Sequence, residues 1–414
     1  MSVQELQSPL RTRHPAPNDE IPGILPRQGL VEALNRGWIT SDKYFIPPSS
    51  IQPASIDLRL GGRAWALRCS FLPDSGSTVM DRVDDLAQEE LDLRDGAQLE
   101  RDRPYLVELV EQIRLPDEVR AKANPKSSTG RLDVFTRVIT DGNHRFDEIP
   151  AGYSGKLYLE VVPRSFAVRV NELLSLNQLR LAVGDARVPD AALRAIHDNV
   201  PLLYRESPGS DPEPVPTGEI AIADGLFLSL DLKGPRRRIV GYRAKRHSHR
   251  VDMSQIRQYD WRDYWEPVNP ERGGRIVLDP EVFYLLLSAE RVCVPPDYAA
   301  EMMAYDPTAG ELRTHYAGFF DPGFGYDSAG PSWGSKAALE VRARDVPFMV
   351  EDGQPICKLA FERMIERPDR LYGDDVGSNY QGQETMLSKH FVAQTASAAS
   401  ERGEGLAVDT AHLF

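Results

Sequence analysis

SIDLRLGGRAWAL, Ser55 to Leu67, is the stretch on which the fold turns. Ile56, Leu58 and Leu60 alternate with Asp57 and Arg59, the period of a strand with one face in a core. After Gly61–Gly62 the apolar run resumes through Ala64–Leu67. RPYLVELVEQIRL (Arg103–Leu115) and GKLYLEVVP (Gly155–Pro163) follow the same rhythm between Gly, Pro, Asp and Asn. Many short strands with few helices predict a mainly β chain of the sandwich or barrel kind. Two segments break the rhythm. GLVEALNRGWIT (Gly29–Thr40) predicts one short helix with Leu30, Ala33 and Leu34 on a single face, and PDAALRAIHDNVPLL (Pro189–Leu203) predicts a second.

Downstream the text starts again. SIDLRLGG is echoed by SLDLKG at Ser229, and YLVELVEQIRLPDEV at Tyr105 by YLLLSAERVCVPPDY at Tyr284. HRFD ends at Asp147 and GFFD at Asp321; LEV occurs at Leu159–Val161 and again at Leu339–Val341, 180 residues later. Strands resemble strands by composition, so no single echo decides. Their common order points to an internal duplication. The expected organisation is a Pro-broken polar arm at 1–22, a first domain at 23–205, and a linker at 206–219 (ESPGSDPEPVPTGE). A second domain follows at 220–366, then a tail at 367–414 placed to close over a site.

Length and composition agree with two domains. The 414 residues exceed one ordinary core, and 41% hydrophobic with 27% charged residues describes a globular chain. No apolar run approaches the ~20 residues of a membrane span, and the N-terminus lacks the layout of a signal peptide. Cys69, Cys293 and Cys357 lie far apart with no CxxC pair, which suits a reducing cytoplasm better than a disulfide framework. A net charge of −13 argues against a nucleic-acid partner. The exception is KGPRRRIVGYRAKRHSHR, Lys233–Arg250, which would meet a polyphosphate or RNA, or else pair with acidic neighbours inside the molecule.

Three segments carry candidate chemistry. NPKSSTGR (Asn124–Arg131) places two hydroxyls and a small Gly130 between the cations Lys126 and Arg131, which suits an anion; Ser-rich basic turns also occur for structural reasons alone. In GYSGKLYLE (Gly152–Glu160), Glu160 falls inside an apolar strand. A buried carboxylate there is either neutralised by a cation or raised in pKa and useful for proton transfer, and the sequence leaves both open. The Gly-rich DRLYGDDVGSNYQGQETM (Asp369–Met386), with Tyr372, Tyr380, Gln381 and Gln383, either folds over a ligand or stays loose.

IQPASIDLRLG (Ile51–Gly61), PKSSTGR (Pro125–Arg131), HRFD…GYSGKLYLE (His144–Glu160) and GSNYQGQ (Gly377–Gln383), in this order, resemble the deoxycytidine triphosphate deaminase family of the dUTPase-like superfamily. The likeness covers most of 25–185 and, more weakly, 220–390. It implies two tandem dUTPase-like β-barrels and hydrolytic deamination of dCTP to dUTP. By that resemblance Lys126, Ser127 and Ser128 would bind phosphates or position the attacking water, and Arg131 would hold the catalytic carboxylate. Asp147 would accept from the 3′-hydroxyl, and Glu160 would relay protons as oxygen attacks C4 of cytosine. Tyr372, Tyr380 and Gln383 would close over the triphosphate. Mg²⁺ would be bound through the substrate's phosphates. Zinc is not expected, because no histidine or cysteine stands in the HxE and PCxxC segments of zinc deaminases.

The departures from the family pattern shape the expectation. EIPA (Glu148–Ala151) reads as an insertion, Asn379 stands where the family has a lysine, and Thr140 and Asp141 lie near the base-pocket positions. In the second copy the turn has become YDPTAGE (Tyr305–Glu311), without the serine pair or the arginine. That copy keeps AGFFDPGFG (Ala317–Gly325), with Ala317 and Asp321 as nucleoside contacts, and keeps Glu340. These complementary losses suggest a composite site, with Ser127, Ser128 and Arg131 from the first copy and Asp321, Glu340 and the tail from the second. Glu160, in the better motif match, is the other candidate general base. Rival readings are a dUTP diphosphatase or a bifunctional enzyme releasing dUMP, and a non-catalytic nucleotide-binding protein. Family sites form between neighbouring barrels in a threefold ring, so a homo-oligomer is expected, with a trimer of two-barrel chains one closed form.

Overall fold

A computed structural model describes residues 21–207, 209–233, 238–304, 312–314, 318–328, 330, 332–343, 345–373 and 386–392. It is mainly β, with barrel-like sheets. In the first barrel, strand Ile56–Leu67 is central. Its first half pairs with Ser175–Val183 and its second half with Tyr105–Arg114, all antiparallel. The change of partner falls at Gly61–Gly62, where the register with Tyr105–Arg114 shifts. A side chain at Gly61 would sit 2.6 Å from the Glu108 carbonyl, so the glycine is what lets the strands approach.

The duplication is visible in the register. Strand Ser154–Pro163 pairs with Tyr105–Arg114 through Leu159 opposite Val107, and Ser335–Ala343 pairs with Phe283–Val292 through Leu339 opposite Leu286. Val119–Pro125 faces Ser175–Val183 through Ala123 and Leu179, and Tyr298–Ala304 faces Pro355–Arg363 through Met302 and Leu359. The first pair of contacts joins residues that the echoes equate, and the second extends the correspondence beyond the quoted segments.

Two local expectations need correction. The first helix runs Arg27–Asn35, ends before Gly37 (φ 72°), and gives way to a short strand, Ile39–Thr40, against Ile113 and Gln112. Residues 206–219 are no free linker. Leu203–Ser207 and Ser210–Pro214 form a hairpin that turns at Gly209, and Leu203 pairs with Val292 of the second barrel. A Pro- and Gly-rich composition serves a tight turn as well as a linker. The second expected helix forms over Asp190–Asn199, with Leu193 and His197 buried and His197 Nε2 2.6 Å from the Val215 carbonyl.

The second half also reaches back to the first barrel. Val251–Asp252 adds a parallel strand to Val168–Val170. Tyr264 and Trp265 pack edge-on against Phe166 at 5.7 and 5.2 Å, and Phe391 lies 5.4 Å from Tyr264. The burial of each such ring is worth roughly 2–3 kcal/mol, so one core spans residues of both halves. In the basic stretch, Arg238 pairs with Asp231 at 3.0 Å and Arg243 with Glu266 at 2.6 Å and Asp279 at 3.3 Å. Among the described residues no helix is long and apolar enough to cross a membrane.

Candidate active site

Strand Val119–Pro125 ends at a proline, and the chain then makes a single helical turn over Ser127–Gly130. The Thr129 and Gly130 N–H groups both reach the Lys126 carbonyl, at 2.8 and 3.0 Å. Ser127 is exposed at the tip, whereas Ser128, Thr129 and Arg131 are buried. Arg131 Nε donates to Ser127 Oγ at 3.1 Å, and Lys126 forms an ion pair with Asp57 of the central strand. The turn therefore presents hydroxyls backed by fixed cations.

The second barrel supplies what lies against it. Glu340, in the middle of Ser335–Ala343, is 7% exposed and projects at Gly130. A methyl group on Gly130 would lie 2.6 Å from Glu340 Oε1 and 2.8 Å from its carboxyl carbon. Burial pushes the Glu340 pKa well above the usual carboxylate range, opposed by the Arg131 cation and reinforced by Asp133. Asp321 is also brought to this junction, where Arg180 of the first barrel donates to its Oδ1 at 3.2 Å. Burial raises its pKa too, against the pull of Arg180.

Buried polar atoms without a partner gather here. Among the described residues they include Asp57 Oδ1, Asn124 Oδ1, Thr129 Oγ1, Arg180 Nε and Glu340 Oε2. Such groups are rare in native interiors.

The first copy's glutamate is situated differently. Glu160 is fully buried, and its Oε1 accepts from Arg137 Nε at 3.0 Å and Nη2 at 2.5 Å. Arg137 lies opposite Glu160 in the sheet, 3.7 Å above the Phe146 ring and 4.4 Å from that of Phe135. Of the two states left open by the sequence, Glu160 thus occupies the cation-paired one, although its Oε2 has no partner. Asp147 accepts the Val138 N–H at 2.8 Å, and burial raises its pKa to about 7. The charges acting on it include Lys122 of its own barrel and Glu301 of the second. Tyr372 packs 5.7 Å from Phe324, on the loop that carries Asp321, and its N–H meets the Pro322 carbonyl. Ala317, Tyr380, Gln383, Asn379 and the degenerate turn 305–311 lie outside the described residues.

Several residues of the junction escaped the sequence reading. Asp57 had a usable signal, an acid inside an apolar strand repeated as Asp231, which itself pairs with Lys336. Arg180 had none. Nor did the segment Met386–Phe391, which crosses the turn: Arg131 Nη1 donates to the Met386 carbonyl at 3.3 Å and Ser388 Oγ to the Ser128 carbonyl at 2.9 Å. It brings Lys389 close to Lys126, and burial lowers the Lys389 pKa.

The two halves match two family models. Residues 21–185 match the 2′-deoxycytidine 5′-triphosphate deaminase N-terminal domain, and residues 190–391 match the C-terminal domain of the same family. The crystal structure of 2′-deoxycytidine 5′-triphosphate deaminase from Agrobacterium tumefaciens is 43% identical, with a TM-score of 0.75, over 83% of this chain and 99% of that one. A "dCTP deaminase, dUMP-forming" of Methanospirillum hungatei is 33% identical over 141 residues, 33% of this chain and 69% of that protein. A "dCTP deaminase" of Haloarcula marismortui is 33% identical over 125 residues, 29% of this chain and 59% of that protein.

Proposed function

This chain belongs to the 2′-deoxycytidine 5′-triphosphate deaminase family, and from that premise we propose that it hydrolyses dCTP to dUTP and ammonia at a site shared by its two barrels. The observation that carries the shared site is the contact between Glu340 and Gly130, which brings a buried carboxylate of one barrel onto the hydroxyl turn of the other. Glu340 acts as general base. It takes a proton from water as the oxygen bonds to C4 and delivers it to the ring nitrogen N3. It then carries the remaining hydroxyl proton to the amino group, so that the C4 carbonyl forms as the C–N bond breaks and ammonia leaves. Arg131 keeps Glu340 ionised enough to accept that proton, and Ser127, Ser128 and Lys126 position the water and the phosphates. Asp321, held by Arg180, takes the sugar hydroxyl, and Tyr372, Tyr380 and Gln383 cover the triphosphate.

Mg²⁺ enters as part of the substrate. The turn offers hydroxyls and cations, a donor set that fits phosphate oxygens and not a divalent ion. Zinc takes no part in the proposed steps, and among the described residues no three His, Cys, Asp or Glu side chains gather. The three free cysteines suit a cytoplasmic setting, and the family's ring-forming barrels favour a homo-oligomer.

Purified protein is expected to release one ammonia per dCTP consumed, at a rate unchanged by a zinc-selective chelator; loss of activity restored by added zinc would overturn the mechanism. The name of the Methanospirillum relative gives weight to a second reading, in which dUTP is cleaved further to dUMP. Inorganic pyrophosphate appearing in step with ammonia would select it.

A further inference from the structure

Next to the Glu340–Gly130 contact lies a second bond between the barrels, which the proposed chemistry does not use. Asp133, two residues beyond Arg131, forms an ion pair with Arg342, two residues beyond Glu340. Alternate residues of a strand share a face, so Arg342 and Glu340 meet the first barrel together. Asp133 is fully buried and sits at φ 56°, in the left-handed region that side chains other than glycine adopt at a cost. The first barrel holds it there from three sides. Its N–H reaches the Gly130 carbonyl at 2.8 Å, its carbonyl accepts the Arg164 N–H at 2.9 Å, and its Oδ2 accepts Ser165 Oγ at 2.5 Å. Arg342 is tied in turn to the Glu281 carbonyl of its own barrel and lies 3.5 Å from the Glu281 carboxylate.

A buried ion pair is weak support for stability, since apolar residues of similar volume often do as well. Its constraint is geometric: each partner is fixed on its own barrel, and the bond admits one register between them. We propose that Asp133 and Arg342 are positioning residues that hold strand Ser335–Ala343 against the turn and so set Glu340 on Gly130. This rests on the reading of Glu340 as the general base.

The pair also acts on the charge around Glu340. Arg131 and Asp133 of the turn act on Glu340 with opposite sign, and Arg342 on its own strand neutralises Asp133. On the strand Phe283–Val292 the residue opposite Glu340 is the apolar Leu285, and on the other side the strand Leu312–Thr314 places Arg313 opposite Arg342. A base with a raised pKa is active above that pKa and loses activity as pH falls through it, so kcat/KM has an acid limb above the range of an ordinary carboxylate. Asp133→Asn removes the anion that favours the protonated form, and should move the limb to lower pH. Arg342→Gln leaves Asp133 without its cation, and should move the limb to higher pH. Each single variant should lower kcat roughly 10- to 100-fold with little change in KM, as expected when a catalytic group is slightly displaced.

The test is the pH profile of kcat/KM for the two variants and for the doubly neutral Asp133→Asn/Arg342→Gln, with Glu340→Gln alongside. Opposite shifts in the single variants, and a limb near the wild-type position in the double variant, are the expected result. Limbs that stay in place, or shift together, while Glu340→Gln is inactive would overturn the positioning role and leave the base intact. An active Glu340→Gln would instead remove the reading on which the inference rests. The doubly neutral variant buries no unpaired charge, which keeps the comparison available if a single variant folds poorly.

Discussion

Glu340→Gln is expected to lower ammonia release from dCTP by about three orders of magnitude or more, whereas Glu160→Gln is expected to stay within about tenfold of wild type. Glutamine keeps the volume and removes the proton acceptor, so each variant isolates acid–base function from packing. The two glutamates are equivalent in sequence, and their surroundings separate them. Glu340 abuts the turn of the other barrel, and the cation acting on its charge there is Arg131. Glu160 is held by Arg137, whose guanidinium is in turn fixed by Phe146 and Ser70. Loss of that pair should appear mainly in the melting temperature, because Arg137 would be left partly buried without its anion. Steady-state assays of the two variants decide the matter. An inactive Glu160→Gln beside an active Glu340→Gln would place the site between first barrels of different chains and retire the composite site.

Gly130→Ala should reduce kcat by roughly 100-fold or more while leaving the melting temperature unchanged or slightly raised. Gly130 lies in a helical turn and not in the left-handed region, so alanine is compatible with its backbone. The obstacle is the Glu340 carboxylate, 2.6 Å from where the methyl carbon would stand. One of the two groups must move, and Glu340 is the one that the chemistry needs in place. Combining Gly130→Ala with Glu340→Asp shortens the acid by one methylene and should recover part of the lost turnover. A Gly130→Ala enzyme with wild-type kcat would show that the contact has no part in catalysis.

What the sequence disclosed follows from what each signal measures. Alternation and the repeated YLVEL/YLLLS and LEV segments report strand faces, and the two copies do pair in the same register. The phosphate-type turn was legible because its chemistry is contiguous, Lys126 to Arg131. The partner of a buried acid is set by cross-strand register and leaves no local mark. Arg137 precedes Glu160 by 23 residues and meets it only when the strands align. Asp133 reads as an ordinary loop acid until Arg342 arrives from 209 residues away. The hairpin at 203–214 has the composition of a linker because Pro and Gly punctuate both. Ser388 carries no local signal because its partner, Ser128, lies 260 residues upstream.

The central claim is that turn and base belong to different barrels of one chain. Co-expression of an Arg131→Ala chain with a Glu340→Gln chain, each separately tagged, followed by purification through both tags, tests it directly. If the site is built within the chain, every site in the mixed assembly carries one of the two lesions, and deamination remains at the level of the single variants. If turn and base came from different chains, about a quarter of the interfaces in a randomly mixed assembly would combine an intact turn with an intact base. Recovery of activity to that order would contradict the account.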